Sequence, residues 1–233
     1  MDLKGAKLTW LGHATFRLET GGKTILIDPW VMGNPMCPES EKKPAKVDAM
    51  LCTHGHFDHI GDAVAIAKQH SPKVVGIYEL AMWLQKKGAK QVLPMNKGGT
   101  QEVAGVKVTM VQAVHSCGIQ EDDGSIIYGG EACGFVIELP GGLKLYHAGD
   151  TAVFGDMQII RELYKPDIAM LPTGDLFTMS PRECAYACKL LQPKVVIPMH
   201  FGTFPALTGT PEQLRKLAAG CEVMEMKPGQ TIG

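Results

Sequence analysis

Hydrophobic and polar residues alternate in three short runs at the start of the chain, at residues 6–11, 15–20 and 24–28. A period of two predicts β-strands, and the glycine pair before the third run supplies a tight turn. The sequence therefore begins with a predicted antiparallel meander. Residues 29–46 follow with four prolines and a charged cluster, which predicts a long surface loop. This loop is either a lid or a surface loop without a functional role.

Further along, short apolar runs alternate with longer amphipathic segments. Strands are predicted at residues 47–53, 73–78, 107–114, 134–139, 143–147, 167–171, 194–198 and 222–226. Helices are predicted at residues 61–70, 79–87, 156–164, 181–191 and 211–219, and a polar, glycine-rich loop at 116–130. No linker-like segment divides the chain, so we expect one α/β domain over residues 1–233. Two mixed sheets with helices on their outer faces would bury these strands, although the pattern also fits other α/β layers.

The composition narrows the class of protein and its partners. With 233 residues, 45% of them hydrophobic and 20% charged, the chain is long enough for one full core. A net charge of −1 gives no general electrostatic reason to bind membranes or nucleic acid, which argues against a processive nuclease but leaves a small phosphodiester open. No apolar run approaches the ~20 residues that span a bilayer, and no signal-peptide pattern is present. The seven cysteines form no Cys-x-x-Cys pair, so we expect reduced thiols and a cytoplasmic location, with homo-oligomerisation open.

The densest chemical signal is a group of four potential metal ligands directly after an apolar run. The four are His54, His56, Asp58 and His59. Side chains two positions apart in an extended segment project to the same side, so the first two histidines can bind one ion. The next two ligands follow where the chain turns toward a helix and can face a neighbouring ion. Three of the eight histidines fall within these six residues, which argues against a chance cluster of surface histidines.

Three further candidate ligands each end an apolar run and precede a bend that contains glycine. They are His115, Asp150 and His200. Ligands at strand ends converge on one edge of a sheet, where loops are free to form a site. Taken singly, each is typical of a structural residue, but with the first four they form a set of seven.

The ligand types indicate the class of metal. Imidazoles with carboxylates suit Zn²⁺, Mn²⁺, Fe²⁺ or Ni²⁺ better than Mg²⁺ or Ca²⁺, which prefer shells of oxygen. A carboxylate that bridges two ions would hold them roughly 3.5–4 Å apart, and Asp150 is the candidate for that bridge. The sequence therefore predicts a centre of two divalent ions whose identity stays open.

This ligand spacing resembles the signature of the metallo-β-lactamase superfamily, His-x-His-x-Asp-His followed by separate His, Asp and His ligands. The resemblance covers nearly the whole chain and implies a four-layer αββα sandwich of two mixed sheets, with the site at the edge between them. The residues it implies for a first metal position are His54, His56 and His115. Those it implies for a second position are Asp58, His59 and His200, with Asp150 shared by both.

A narrower resemblance rests on residues 10–16, 28–30, 146–151 and 198–205. These segments are similar to a small bacterial and archaeal family of uncharacterised metal-dependent hydrolases. That family is similar to the ascorbate-6-phosphate lactonases and, more distantly, to N-acyl-phosphatidylethanolamine phospholipase D. Its label names no substrate.

Two divalent ions would lower the pKa of a bridging water, supply hydroxide and polarise a carbonyl or phosphoryl oxygen. The leading hypothesis is therefore a hydrolase of a small molecule with an ester-type bond, either a phosphodiester or a lactone. Asp58 is a candidate for orienting the nucleophile and moving its proton. His13, between the first two predicted strands, is a candidate catalytic group at the pocket mouth, with a structural turn histidine as the alternative.

Four other residues are assigned weaker roles. Asp28 and Asp175 are candidates for orienting ligand imidazoles. His147 is either a partner of a ligand or a plain strand residue. Cys117 is either a thiolate ligand or, more simply, a loop cysteine.

Two other functions remain open on the sequence alone. A non-catalytic, metal-stabilised binding protein would use the same ligands without an open coordination position. A di-iron oxidoreductase would use iron, but such members of the superfamily usually need a flavin partner domain and an acidic residue where this chain has His115. An iron assay with a flavin-reduction test separates this alternative from a hydrolase.

Overall fold

The computed structural model describes all 233 residues and contains two seven-stranded sheets and a separate two-stranded hairpin. The strands of the first sheet are β1 (Lys7–Trp10), β2 (Phe16–Thr20), β3 (Lys23–Ile27), β4 (Ala49–Leu51), β5 (Lys73–Ile77), β6 (Gln91–Met95) and β16 (Thr231–Ile232). Those of the second sheet are β7 (Thr100–Val103), β8 (Val106–Gln112), β11 (Cys133–Glu138), β12 (Lys144–His147), β13 (Ile168–Pro172), β14 (Val195–Met199) and β15 (Glu222–Val223). The hairpin consists of β9 (Gly118–Gln120) and β10 (Ile126–Tyr128).

Six helices accompany the strands. They are α1 (Phe57–Ile60), α2 (Ala63–His70), α3 (Tyr78–Lys86), α4 (Met157–Tyr164), α5 (Pro181–Leu191) and α6 (Pro211–Leu217). The helix α5 begins where the sequence predicts it, because the Ser180 hydroxyl accepts a hydrogen bond from the Glu183 backbone and the Glu183 carboxylate accepts one from the Ser180 backbone. None of the helices is long and apolar enough to cross a membrane.

Both sheets are mixed. The first has the order β16-β1-β2-β3-β4-β5-β6, antiparallel up to β3 and parallel from β3 to β6. The second has the order β15-β14-β13-β12-β11-β8-β7, parallel up to β12 and antiparallel beyond it. Each sheet therefore joins a set of antiparallel strands to a run of parallel strands, so the prediction of two mixed sheets is confirmed.

The sheets pack face to face, with helices on their outer faces. In β13, Ile168 and Met170 belong to the core between the sheets, whereas Ala169 and Leu171 pack in a second core under α4, α5 and α6. Alternate residues of a strand point to opposite faces, so this sheet is buried on both sides. On the other side of the molecule, α2 and α3 cover the first sheet. The predicted αββα sandwich is thereby confirmed.

Several predictions about single elements were wrong or incomplete. Residues 116–130, predicted as a loop, contain the hairpin β9–β10. The strands β6, β7 and β16 were not predicted, because β6 contains a proline, β7 is polar and β16 has two residues. Residues 29–46 are irregular apart from one turn of 3-10 helix, as predicted, but Asp62 holds the Val31 and Met32 backbone N–H groups at 2.6 and 2.7 Å. The start of this loop is thus fixed to the body of the protein.

Candidate metal centre

Three predicted ligands and the candidate orienting residue Asp28 meet at one edge of the sandwich because they follow parallel strands. Asp28 directly follows β3, and His54 lies three residues beyond the end of β4. In the other sheet, Asp150 lies three residues beyond β12 and His200 directly follows β14. Parallel strands end at the same edge, so side chains from both sheets converge there.

Two groups of potential ligand atoms lie at this edge, each with all its atoms within 4.8 Å of one another, and Asp28 forms a third with one histidine of each, His54 and His59. The first group is His54, His56 and His115. The second group is His13, Asp58, His59 and His200. These groups match the two metal positions that the resemblance implies, with His13 as an additional member of the second.

Asp150 lies between the two groups. Its Oδ2 is 3.0 Å from His200 Nε2 and 3.2 Å from His59 Nε2 in the second group. In the first group, the same oxygen is 3.7 Å from His115 Nε2 and 3.8 Å from His54 Nε2. One carboxylate oxygen thus faces four imidazole nitrogens, as a shared ligand requires.

The charges at this edge favour a cation. Burial alone would raise the pKa of Asp150, but the neighbouring His200 and His59 hold it well below its usual value, so the carboxylate is ionised. Burial would lower the pKa of His59, but Asp150 and Asp28 raise it well above its usual value. Burial, together with the nearby His59, lowers the pKa of His54 and keeps this imidazole neutral, as a metal ligand must be.

Asp28 orients one imidazole in each group. Its Oδ2 accepts hydrogen bonds from His59 Nδ1 at 2.8 Å and from Thr53 Oγ1 at 2.7 Å, and its Oδ1 accepts one from the Thr53 backbone. Because the Thr53 hydroxyl donates to Asp28, it accepts from His54 Nδ1 at 3.0 Å. These contacts at Nδ1 direct the Nε2 atoms of both imidazoles to the centre, where His59 would offer a lone pair once a metal ion displaces its Nε2 proton.

His13 lies beneath the pocket and contacts Asp58. It is fully buried, and burial with the nearby His200 lowers its pKa to about 4, so the ring is neutral. Its Nε2–H donates to Asp58 Oδ2 at 3.0 Å, and its Nδ1 accepts from the Thr203 hydroxyl at 2.8 Å. Burial would raise the pKa of Asp58, but this hydrogen bond and the charge of His59 lower it. The structure thus places His13 behind Asp58, a candidate ligand, instead of at the predicted pocket mouth.

Three residues of the centre have left-handed backbone conformations. The φ angles of His13, Asp28 and His200 are 54°, 49° and 55°. Such angles are uncommon outside glycine and are retained where surrounding contacts fix them. The His200 backbone N–H donates to the His13 carbonyl at 3.1 Å, so two of these residues hold each other.

The donor set fits divalent cations. The buried polar atoms without a hydrogen-bond partner include His59 Nε2 and Asp150 Oδ1, although His59 Nε2 lies 3.2 Å from the other oxygen of Asp150. Buried polar atoms are almost always satisfied, so these point to a ligand at this place. Nitrogen and carboxylate donors in this ratio suit the transition metals and zinc.

Three residues with weaker predicted roles lie outside the ligand set. Asp175 accepts a hydrogen bond from the Leu176 backbone and from no imidazole. His147 donates from Nε2 to the Ala14 carbonyl and accepts at Nδ1 from the Gly149 backbone, so it fixes the bend before Asp150. Cys117 donates to the Gly129 carbonyl, and burial raises the pKa of its thiol to about 11, which disfavours a thiolate ligand.

Replacing Cys117 with serine should therefore leave the metal content unchanged, whereas His115→Ala should remove a ligand of the first group and weaken metal binding. We expect at least about a tenfold loss of affinity from the histidine substitution. Both variants are measured by metal titration of chelator-treated protein. A loss of metal from the serine variant that equals the loss from His115→Ala would show that the thiol is a ligand.

The two groups face an open cavity of about 680 Å³. Five candidate ligands line it: His56, Asp58, His115, Asp150 and His200. The remaining lining residues include Phe57, Ile126, Phe177 and Phe204. Neither these apolar residues nor the role of Thr53 was predicted from the sequence. An Asp-Gly turn within 121–125, flanked by Ile119 on one side and by Ile126 and Ile127 on the other, was a signal for the hairpin that carries Ile126.

Comparisons with known proteins point to one family. Residues 7–200 match the family model described as Beta-lactamase superfamily domain. A UPF0173 metal-dependent hydrolase of Koribacter versatilis is 66% identical over 232 residues, which cover 99% of each chain. One of Methanopyrus kandleri is 46% identical over 231 residues, which cover 97% of this chain and 98% of that one. The structure of a metallo hydrolase from the archaeon Ignicoccus hospitalis is similar with a TM-score of 0.85 and 37% identity, over 97% of each chain.

Proposed function

The chain belongs to the β-lactamase superfamily and, within it, to the UPF0173 family of metal-dependent hydrolases, and we propose that it hydrolyses an ester-type bond of a small molecule with two divalent ions. The bond is that of a phosphodiester or a lactone. The candidate metals are zinc, manganese, nickel and iron.

One observation carries this proposal: Asp150 Oδ2 lies within 3.8 Å of imidazole nitrogens from both groups of ligand atoms. A carboxylate shared in this way would hold two ions close together. The first ion would be held by His54, His56 and His115. The second would be held by Asp58, His59 and His200.

When bound, a pair of divalent ions supplies a water that is nucleophilic near neutral pH and stabilises negative charge on a carbonyl or phosphoryl oxygen. The chain's own residues complete the site. Asp58 lines the cavity, and its Oδ2 accepts a hydrogen bond from His13 Nε2–H, which would hold the carboxylate in place to orient the nucleophile. His13 therefore acts as a positioning residue for Asp58.

The open cavity favours an enzyme over a metal-stabilised scaffold. A structural metal site is closed by its protein ligands, whereas a catalytic site keeps a position open to substrate. Here five of the seven candidate ligands line a cavity that a small molecule can enter. The three imidazoles of the first group also differ from the acidic first position expected of a di-iron oxidoreductase.

Removing the metals should abolish hydrolysis. Chelator-treated protein is titrated with Zn²⁺, Mn²⁺, Ni²⁺ or Fe²⁺ and assayed on lactones, carboxylic esters and phosphodiesters. We expect activity to return and to saturate at about two ions per chain. Replacing Asp58 with alanine should then lower kcat by roughly 10²- to 10⁴-fold at saturating metal.

Hydrolysis that survives chelation, or that saturates at one ion per chain, would contradict the dinuclear proposal. If metal-loaded protein cleaves nothing in the panel, the binding-protein alternative is favoured. Fe²⁺-loaded protein that reduces oxygen with a flavin donor would favour the oxidoreductase.

A further inference from the structure

The cavity beside the metal centre contains no cationic side chain. None of the twelve residues that line it is lysine or arginine, and its histidines are candidate metal ligands. Proteins that bind a phosphate or carboxylate away from a metal usually use arginine or lysine for it. Beyond the ligands themselves, the wall offers polar side chains from Ser116 and Gln120 only. Ser116 is already within 3.2 Å of His56 Nε2.

The wall is instead apolar and reaches the surface. Phe57, Ile126 and Phe177 are 58%, 75% and 59% exposed, although large apolar side chains usually avoid water. They come from three segments, namely α1, the hairpin and the loop before α5, and Phe204 joins them from the loop after β14. Exposed apolar residues that gather around one cavity mark a binding surface, in contrast to scattered single ones.

Acidic residues stand at the edge of this wall. Gln120 and Ile126 are paired in the hairpin, so the turn between them begins at the cavity. That turn contains Glu121, Asp122 and Asp123. Lys87 pairs with the first of these, and no ion pair forms to the other two. The turn therefore repels an anion that approaches along the hairpin.

We infer that the substrate places an uncharged apolar group against Phe57, Ile126, Phe177 and Phe204 and carries no anionic group outside the reacting bond. This inference rests on the proposed function, since it names the substrate class of the same site. A phosphate remote from the bond would lose its hydration against phenylalanine and isoleucine without gaining a partner. An alkyl or aromatic group would instead cover apolar surface that is now in water. A cavity of about 680 Å³ is in the range that accepts a small molecule with such a group.

The test uses substrates that share one reacting bond and differ in their tail. A γ-lactone series carries methyl, butyl or octyl at the ring, and a further member carries a butyl tail that ends in phosphate. A p-nitrophenyl phosphodiester series carries the same four tails. We expect kcat/KM of the metal-loaded enzyme to rise about two- to fourfold per added methylene until the wall is covered. The phosphate-ended tail should lower kcat/KM at least tenfold relative to plain butyl.

Variants of the wall connect this preference to the named residues. Phe177→Ala should lower the octyl-to-methyl ratio of kcat/KM several-fold. Tyr186→Ala is the matched control, because Tyr186 is an equally exposed aromatic residue on α5 that does not line the cavity. It should leave the ratio unchanged. Gln120→Lys should raise kcat/KM for the phosphate-ended tail, since it adds a cation to the wall.

Two results would overturn the inference: a phosphate-ended tail that reacts as well as plain butyl, or equal ratios for Phe177→Ala and Tyr186→Ala. Failure of the proposed function looks different, because no member of either series is then cleaved by metal-loaded protein. In that case calorimetric titration of the same uncleaved compounds still decides whether the cavity prefers the apolar or the phosphate-ended tail.

Discussion

Replacing Asp150 with asparagine should lower the metal content from about two ions per chain to below one and reduce hydrolysis at least about a thousandfold. The substitution keeps the size of the side chain and removes its charge. The loss of hydrolytic activity should exceed the roughly 10²- to 10³-fold loss in kcat that follows the removal of one hydrogen bond to a transition state. The reason is that Asp150 Oδ2 faces imidazoles of both groups. Elemental analysis and kcat/KM on the best substrate of the panel measure the two effects.

A matched control separates the effect of losing the Asp150 charge from the general effects of replacing any aspartate with asparagine. Asp156 is exposed, precedes α4 and makes no capping hydrogen bond. Asp156→Asn should therefore keep both ions and full activity. If Asp150→Asn also kept both ions at wild-type kcat/KM, the carboxylate would not be a shared ligand and the dinuclear proposal would lose its main support.

The ligand positions could be predicted from sequence because their signal is local. Each of His115, Asp150 and His200 ends an apolar run, and the preceding strands β8, β12 and β14 run in the same direction, so these ends meet at one edge. The family spacing then divides them into two positions. The structure places His54, His59, His115 and His200 within 3.8 Å of Asp150 Oδ2, and the role of these residues as ligands stays a prediction.

The hydrogen bonds that orient the ligands could be predicted only in part. An aspartate at a strand end suggests a partner for an imidazole, and the structure places Asp28 2.8 Å from His59 Nδ1. The relay through Thr53 has no sequence signal, because a threonine before a histidine is common and its hydroxyl direction depends on tertiary contacts. The buried position of His13 also depends on packing, since Thr203 lies 190 residues away from it.

The apolar wall was not predicted because it is assembled from distant segments. Phe57, Ile126 and Phe177 each look like an isolated exposed residue, and only the fold brings them to one cavity. The same fold leaves the cavity without lysine or arginine, although the chain contains 23 of these residues. Substrate class therefore has to be argued from the structure, whereas the candidate metal ligands follow mainly from the sequence.

Replacing Asp28 with asparagine should weaken binding of both metal ions, although Asp28 is itself no ligand. The amide that replaces Oδ2 would place a donor against His59 Nδ1–H and the Thr53 hydroxyl, both of which donate in the native protein. His54 depends on that hydroxyl, so imidazoles of both groups lose their orientation. Loss of such a partner typically lowers metal affinity 10- to 100-fold. The buried unpaired donors should also cost about 1–3 kcal/mol of folding free energy.

The control for this prediction is Asp62→Asn, because Asp62 is also buried and accepts two hydrogen bonds, from the Val31 and Met32 backbone, but contacts no imidazole. Both variants should unfold at lower denaturant concentration than the wild type. Only Asp28→Asn should need 10- to 100-fold more free metal for half-maximal activity, and excess metal should restore most of its kcat. Equal metal affinities for the two variants would mean that Asp28 stabilises the fold without orienting His54 and His59.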